Sequence, residues 1–452
     1  MHILTHIHTP PSHFYLCIAV HCSAVQCSAV QCSAVQPSPK PYMNASLIVW
    51  SVAATSLSWR GPLSFVGTTA VFDGPGVCFH VPAASGVQLE VLIHDGFQGD
   101  NRNGIGAGTL WSVRAAANGS VPVFFRTRFS TNAAVWIGIP LSTNLSSSSS
   151  SSPAAWVCKE SEAMFAPRAL RKSVVVVHSL RAVKRGLLQH DHRNINISWG
   201  NLSIAHQHQQ RQRHTHLVFI GDSLTAGFGA LCGRGGHTSG ACTPVWPSSA
   251  SRVWSVPKSS RDALFLKSAF SASAAGQVCW ALQANCYTVA FSGWGLQVPF
   301  FGQLLPQVYG RTVFTDTATR APAVANVPAN AVVVINVGTN DLLAQNPPSV
   351  QSAGKALAMF LKTRVLKPQT PLVIMWCGLM RAPTCSAARH AQALLVGTVQ
   401  VRILDCSRWT GQTGGAANAF HPTFNVHSAI AAMLQKELLS DVGVATDPLV
   451  RV

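Results

Sequence analysis

Five short apolar runs, rich in β-branched residues, recur at 217–220, 287–291, 331–337, 372–376 and 401–404, separated by segments long enough to hold helices. Runs that stay apolar at every position are buried on both faces, the habit of strands in a parallel sheet covered by helices above and below. This half of the chain is therefore restricted to an α/β architecture. Open sheets of that kind also dictate where a site belongs, because binding and reacting groups gather beyond the carboxyl ends of the strands.

Polar residues stand at those ends. The first run passes into Gly221-Asp222-Ser223-Leu224, the second into Ser292-Gly293-Trp294-Gly295, and the third into Gly338-Thr339-Asn340-Asp341. A fourth segment brings His421-Pro422, followed by His427, ahead of a helix whose apolar positions Val426, Ile430, Met433 or Leu434 and Leu438 keep helical spacing, with Asn425 as its expected N-cap. A hydroxyl is a weak nucleophile unless a base takes its proton during attack, and His421 is the candidate base for Ser223. The resulting oxyanion needs preorganised donors. The backbone N–H of Ser223, the backbone N–H of Gly293 and the side-chain amide of Asn340 are the candidates, each worth roughly 3 kcal/mol by deletion.

These four blocks, in this order over about 200 residues, resemble the GDSL (SGNH) family of serine esterases and lipases. The resemblance implies the same roles for Ser223, Gly293, Asn340 and His421, leaves Asp222 and Asp341 as structural residues near the site, and implies a three-layer, flavodoxin-like α/β domain. One position departs from the family pattern. Members carry DxxH in the last block, whereas here the residues are Asn418-Ala419-Phe420-His421. An amide at Asn418 accepts a hydrogen bond from the imidazole but does not stabilise the imidazolium as a carboxylate does. The chemistry then rests on a Ser–His dyad helped by a backbone carbonyl, an arrangement resembling that of some carbohydrate esterases.

The first half reads as β-structure. Phe72 to Phe79, the alternating Val87 to Asp95, and further pieces at 109–114, 121–126, 134–139 and 173–178 look like short antiparallel strands with glycine-proline turns, expected to form a small sandwich. A β-domain ahead of the GDSL block resembles the jelly-roll plus SGNH arrangement of family 2 carbohydrate esterases, which remove acetyl groups from plant-type polysaccharides. Lys159-Glu160-Ser161-Glu162-Ala163 looks like the K-x-x-E-A segment of that jelly roll, and Ser292 to Gly295 like its S-G-x-G block. Trp294, beside Gly293, is then either a sugar platform or a core residue.

A chain of 452 residues has room for two cores. The expected organisation is a low-complexity segment over 1–42, where CSAVQ repeats three times at 22–36, a sandwich over 43–185 with a serine run at 146–152, a basic linker over 186–215, and the SGNH domain over 216–445. The chain carries a net charge of +18, and residues 159–216 hold ten Lys/Arg against three Asp/Glu. The His/Gln/Arg tract at 206–214 has no interleaved aromatics and no metal-ligand spacing, so it reads as a solvated linker, and neither a nucleic acid nor a metal is expected. Excess positive charge favours encounter with anionic surfaces, acidic polysaccharide included.

The cysteines leave alternatives open. Cys232 with Cys242, and Cys377 with Cys385, bracket loops that disulfides would close in an oxidising compartment, and buried free thiols fit the same spacing. Sequons at Asn44, Asn118, Asn144, Asn196 and Asn201 suit a secreted chain, although neither Phe14–Val20 nor Leu47–Ala54 makes a convincing signal peptide. No run of about 20 apolar residues exists, so no membrane span is expected. All the catalytic groups come from the chain, and no cofactor is implied. The expected function is O-acetyl esterase action on carbohydrate; alternatives are a lipase, lysophospholipase or thioesterase, and a non-catalytic carbohydrate-binding protein derived from an esterase.

Overall fold

The computed structural model describes residues 3–8, 14–20, 33–35, 46–61, 63–72, 74–82, 88–95, 107–115, 123–128, 134–140, 154–161, 175–185, 216–231, 268–299, 303–311, 328–380, 383–412 and 421–441. The serine run, the basic linker, the sequon asparagines, Cys232, Cys242 and Asn418 lie outside the described residues. Two compact units result: Met1–Leu47 with Arg185–Asp191, and Ile48–Lys184 with His192–Val452. In the first, β1 (Ile3–His8), β2 (Phe14–Val20) and β3 (Ser33–Val35) pair antiparallel in that order.

The second unit contains both an antiparallel and a parallel part. The antiparallel strands are β4 (Ser46–Ala53), β5 (Trp59–Arg60), β6 (Ser64–Val66), β7 (Thr69–Phe72), β8 (Cys78–Pro82), β9 (Gln88–Asp95), β10 (Ala107–Ala115), β11 (Val123–Arg128), β12 (Val135–Gly138), β13 (Ala154–Lys159) and β14 (Val175–Arg185). One sheet runs β11-β10-β13-β8-β5; the other runs β12-β9-β14-β7-β6, with β4 also paired to β14. Alternate residues of both sheets point into one shared core, where Phe79, Trp111 and Val157 meet Phe72, Val91, Ile93 and Val177. The Trp111 ring meets Phe72 and Phe79 edge-on at 6.3 and 6.4 Å. A disulfide joins Cys78 and Cys158, which face each other across β8 and β13.

The five apolar runs become β15 (His216–Gly221), β16 (Asn285–Ala290), β17 (Val332–Asn336), β18 (Leu372–Cys377) and β19 (Gln400–Asp405), all parallel, in the order β16-β15-β17-β18-β19. The helices are α1 (Ser223–Ala226), α2 (Ala274–Ala281), α3 (Leu305–Val308), α4 (Thr339–Leu342), α5 (Val350–Phe360), α6 (Thr384–Leu395) and α7 (Phe424–Asp441). Alternation along each strand feeds two cores. Val218, Ile220, Val333, Ile335 and Val373 pack with Leu305, Leu357, Phe360 and Ala391, while Leu217, Phe219, Val334, Ile374 and Trp376 pack with Val278, Ile430, Leu434 and Leu438. Burial on both faces is why the central runs in β15, β17 and β18 carry no polar alternation, whereas edge strand β19 is only partly covered and admits Arg402.

Helix α7 corrects one expectation. Val426, Ile430, Leu434 and Leu438 are buried, with Met433 partly so, but the helix begins at Phe424. The His427 N–H donates to the Thr423 carbonyl, so Asn425 lies inside the first turn rather than capping it.

The two halves of this unit pack directly. Leu110 of β10 meets Ala230, Ala269 and Ala272, and Trp280 of α2 packs against Trp156 and the Cys78–Cys158 pair. A β-carbon at Gly76 would lie 2.9 Å from the Phe270 ring, so only glycine allows this approach.

Candidate functional site

Strand register converges the polar segments. Gly221 at the end of β15 pairs with Ala290 of β16 on one side and Asn336 of β17 on the other. The ladder continues past the strands, with the Phe291 N–H donating to Gly221 O and the Asp222 N–H to Asn336 O, both at 3.3 Å. Ser223, Gly293 and Asn340 therefore leave three adjacent strands at one rim. β15 lies between its successors in sequence, so this rim is the switch point where open parallel sheets place their sites.

The segment around Ser223 is built around tight packing. A β-carbon at Gly221 would come within 2.0 Å of Thr225 Oγ1, so the strand turns into α1 only with glycine there. Asp222 caps α1, its Oδ1 accepting from the Leu224 N–H at 3.1 Å, and Gly227 ends that helix in the left-handed region at φ +84°. Burial pushes the Asp222 carboxyl up to about 7.

Ser223 Oγ lies 2.7 Å from His421 Nε2, and the two side chains are 7 % and 8 % exposed. The edge-on Phe228 ring stands 4.7 Å from the imidazole and excludes water from that side. Phe228 has no signature in the sequence beyond its place five residues after Ser223. Asn418 lies outside the described residues, so the partner expected to orient His421 remains a proposal.

Gly293 takes φ +82°, a conformation that favours glycine. Neither its backbone N–H nor that of Ser223 has an acceptor among the described residues. Asn340, in the first turn of α4, donates Nδ2 to the Trp294 carbonyl at 2.8 Å. An amide nitrogen carries two hydrogens, so that bond fixes the plane of the side chain and leaves the second hydrogen to donate elsewhere.

Trp294 is core. Its ring is 3 % exposed and stacks on Phe291 at 5.5 Å, so it offers no face to a sugar. Its contribution to the site is the carbonyl that holds Asn340.

Asp341 acts as a clamp that the sequence placed near the site without showing its partners. The buried carboxylate accepts from three successive backbone N–H groups, Leu296 at 2.8 Å, Gln297 at 2.6 Å and Val298 at 2.7 Å. It thereby pins the segment just beyond Gly293 to the turn that carries Asn340. Gly295 makes the approach possible, since a β-carbon there would lie 2.1 Å from Val298 O.

No protein-family profile matches the sequence, and no curated protein matches it. Solved structures do match. A family two carbohydrate esterase from Cellvibrio japonicus superposes with a TM-score of 0.57 at 16 % identity, covering 88 % of this chain and 98 % of that one. Its fold is that of a family two carbohydrate esterase. The same carbohydrate esterase fold is found in the Clostridium thermocellum enzyme in complex with cellohexaose, at TM-score 0.56 and 15 % identity over 86 % of this chain and 99 % of that one. An acetyl xylan esterase from the rumen bacterium Butyrivibrio proteoclasticus gives 0.57 at 15 % identity over 87 % and 100 %. Among the described residues no helix is long and apolar enough to cross a membrane.

Proposed function

We propose that this chain is a serine O-acetyl esterase that deacetylates carbohydrate. The observation that carries the reading is the 2.7 Å contact between Ser223 Oγ and His421 Nε2, set beside two backbone donors without acceptors among the described residues. Ser223 Oγ bonds to the ester carbonyl carbon as its proton passes to His421 Nε2. The N–H groups of Ser223 and Gly293 and the Asn340 amide hold the oxyanion. Collapse breaks the bond to the sugar oxygen, which takes the proton from His421. Water then repeats the sequence on the acyl-serine and releases acetate. Asn418, three residues before the base, is the proposed orienting group.

The substrate class rests on the fold likeness. One of the similar structures holds cellohexaose and another is an acetyl xylan esterase. In this reading 216–445 is a three-layer, flavodoxin-like SGNH domain and 43–185 a jelly-roll-like sandwich, joined by the basic stretch 186–215. The disulfides Cys78–Cys158, Cys279–Cys286 and Cys377–Cys385 support a secreted protein, since such bonds persist in oxidising compartments.

Two measurements test this. Initial rates on p-nitrophenyl acetate and octanoate, and acetate release from acetylated xylan, are expected to favour the acetyl esters by about tenfold or more in kcat/KM, the scale on which pockets discriminate by a few methylenes. Preference for octanoate would instead support a lipase or thioesterase. Asn340→Ala is expected to lower kcat by about 100-fold with little change in KM. A loss confined to KM would mean the amide binds substrate and does not stabilise developing charge.

A further inference from the structure

The turn 268–274, which leads into α2, is bonded to the turn that closes α1, to the antiparallel half and to α7. On the nucleophile side, the Ala269 N–H donates to Gly227 O at 3.1 Å and Ser268 Oγ accepts from the Gly229 N–H at 2.9 Å. These bonds hold the turn that closes α1 and carries Phe228 against His421. On the sandwich side, Glu160 at the end of β13 accepts twice. Its carbonyl takes the Phe270 N–H at 3.0 Å and its Oε2 the Ser271 N–H at 2.6 Å, while Oε1 is bonded by Ser112 Oγ of β10. On the base side, the Ala274 N–H, one of the orphan donors at the start of α2, meets His427 Nδ1 at 3.2 Å. His427 is fully buried in the first turn of α7, six residues after His421.

We propose that Glu160 and His427 are positioning residues for the Ser223–His421 pair, gripping the 268–274 turn from opposite sides so that the sandwich sets the alignment of nucleophile and base. The inference rests on the reading of that pair as catalytic. Both groups suit a fixed strut. Glu160 spends its carboxylate oxygens on the turn and on Ser112, with the Arg114 guanidinium as the nearby charge. Burial lowers the His427 imidazole to about 3, which favours the neutral ring, and the Ala274 N–H selects the tautomer in which Nδ1 accepts. In a reaction that tolerates little misalignment, a displacement of about 1 Å costs up to 100-fold in rate.

The test compares Glu160→Ala, Glu160→Asp, Glu160→Gln, His427→Ala and His427→Asn with the unaltered full chain. Two quantities are read: kcat and KM on p-nitrophenyl acetate, and the titration midpoint of the His421 imidazole by NMR, its resonance assigned by its loss in His421→Gln. Both alanine variants should lose about tenfold or more in kcat, keep KM within about threefold, and move the His421 midpoint. Glu160→Gln and His427→Asn keep an acceptor for the Ser271 and Ala274 N–H groups and should recover most of the loss. Folded alanine variants with unchanged kcat and midpoint would overturn the proposal. If they do not fold, Glu160→Asp, which withdraws the carboxylate by one methylene, takes their place, and an unaltered rate and midpoint in it would overturn the proposal equally. An unaltered chain with no Ser223-dependent turnover would end the esterase reading, while the NMR arm would still decide whether Glu160 and His427 act on His421.

Discussion

Ser223→Ala should lower the hydrolysis rate of p-nitrophenyl acetate by about 10⁴-fold to 10⁶-fold, leaving only what the oxyanion donors and binding supply. The expectation follows from geometry. A hydroxyl 2.7 Å from a histidine nitrogen can hand over its proton as it attacks, and alanine has neither the nucleophile nor the proton. His421→Ala should cost a similar factor, and the double variant little more, because the two side chains act as one unit. The rate of the unaltered protein should also fall towards acid pH, as His421 takes up a proton and ceases to be a base. Steady-state rates of the three variants decide the matter. A Ser223→Ala protein retaining a tenth of the activity would place the nucleophile elsewhere.

The second large effect is expected at Asp341. Asp341→Ala removes the acceptor of three backbone N–H groups, that of buried Leu296, half-buried Val298 and exposed Gln297. Hydrogen bonds to a charged group contribute about 1.5–3 kcal/mol each, and donors left unsatisfied by truncation cost more than the bond itself returns. Allowing for local relaxation, a loss of about 3 kcal/mol is expected, which lowers the melting temperature by roughly 3–4 °C in a unit of about 400 residues. The rate should fall as well, because the freed segment adjoins Gly293 and the Trp294 carbonyl that orients Asn340. Asp341→Asn, which keeps an acceptor oxygen, should fall between the two. Thermal unfolding and turnover, measured together, check this. An Asp341→Ala protein melting within a degree of the original would show that the clamp contributes nothing.

The parallel half of the fold was legible because strands covered on both faces need unbroken apolar residues, a local demand that any reader of 217–220 or 331–337 can recognise. The gathering of Ser223, Gly293 and Asn340 was legible for a related reason, since a polar residue just past such a strand has only the rim to occupy. Other features depend on neighbours distant in sequence. Trp294 reads as a candidate sugar platform, with core the commoner place for a tryptophan, until Phe291 and the helices around it are in place. The Asn425 cap failed because helix starts are decided by a single backbone bond, here the one that closes on Thr423. Cys78 and Cys158 are 80 residues apart, and only the register of β8 against β13 brings them together.

By itself the sequence determined the architecture of the parallel half and which residues meet at its rim, because strand periodicity and strand ends are properties of short segments. Only the tertiary structure decided how those residues are held: the clamp of Asp341 on 296–298, the Phe228 edge on His421, and the turn gripped between Glu160 and His427. Each of these is a hydrogen bond or ring contact between groups far apart along the chain, of which only the Glu160 bond joins one half of the unit to the other, and none leaves a pattern in either segment alone.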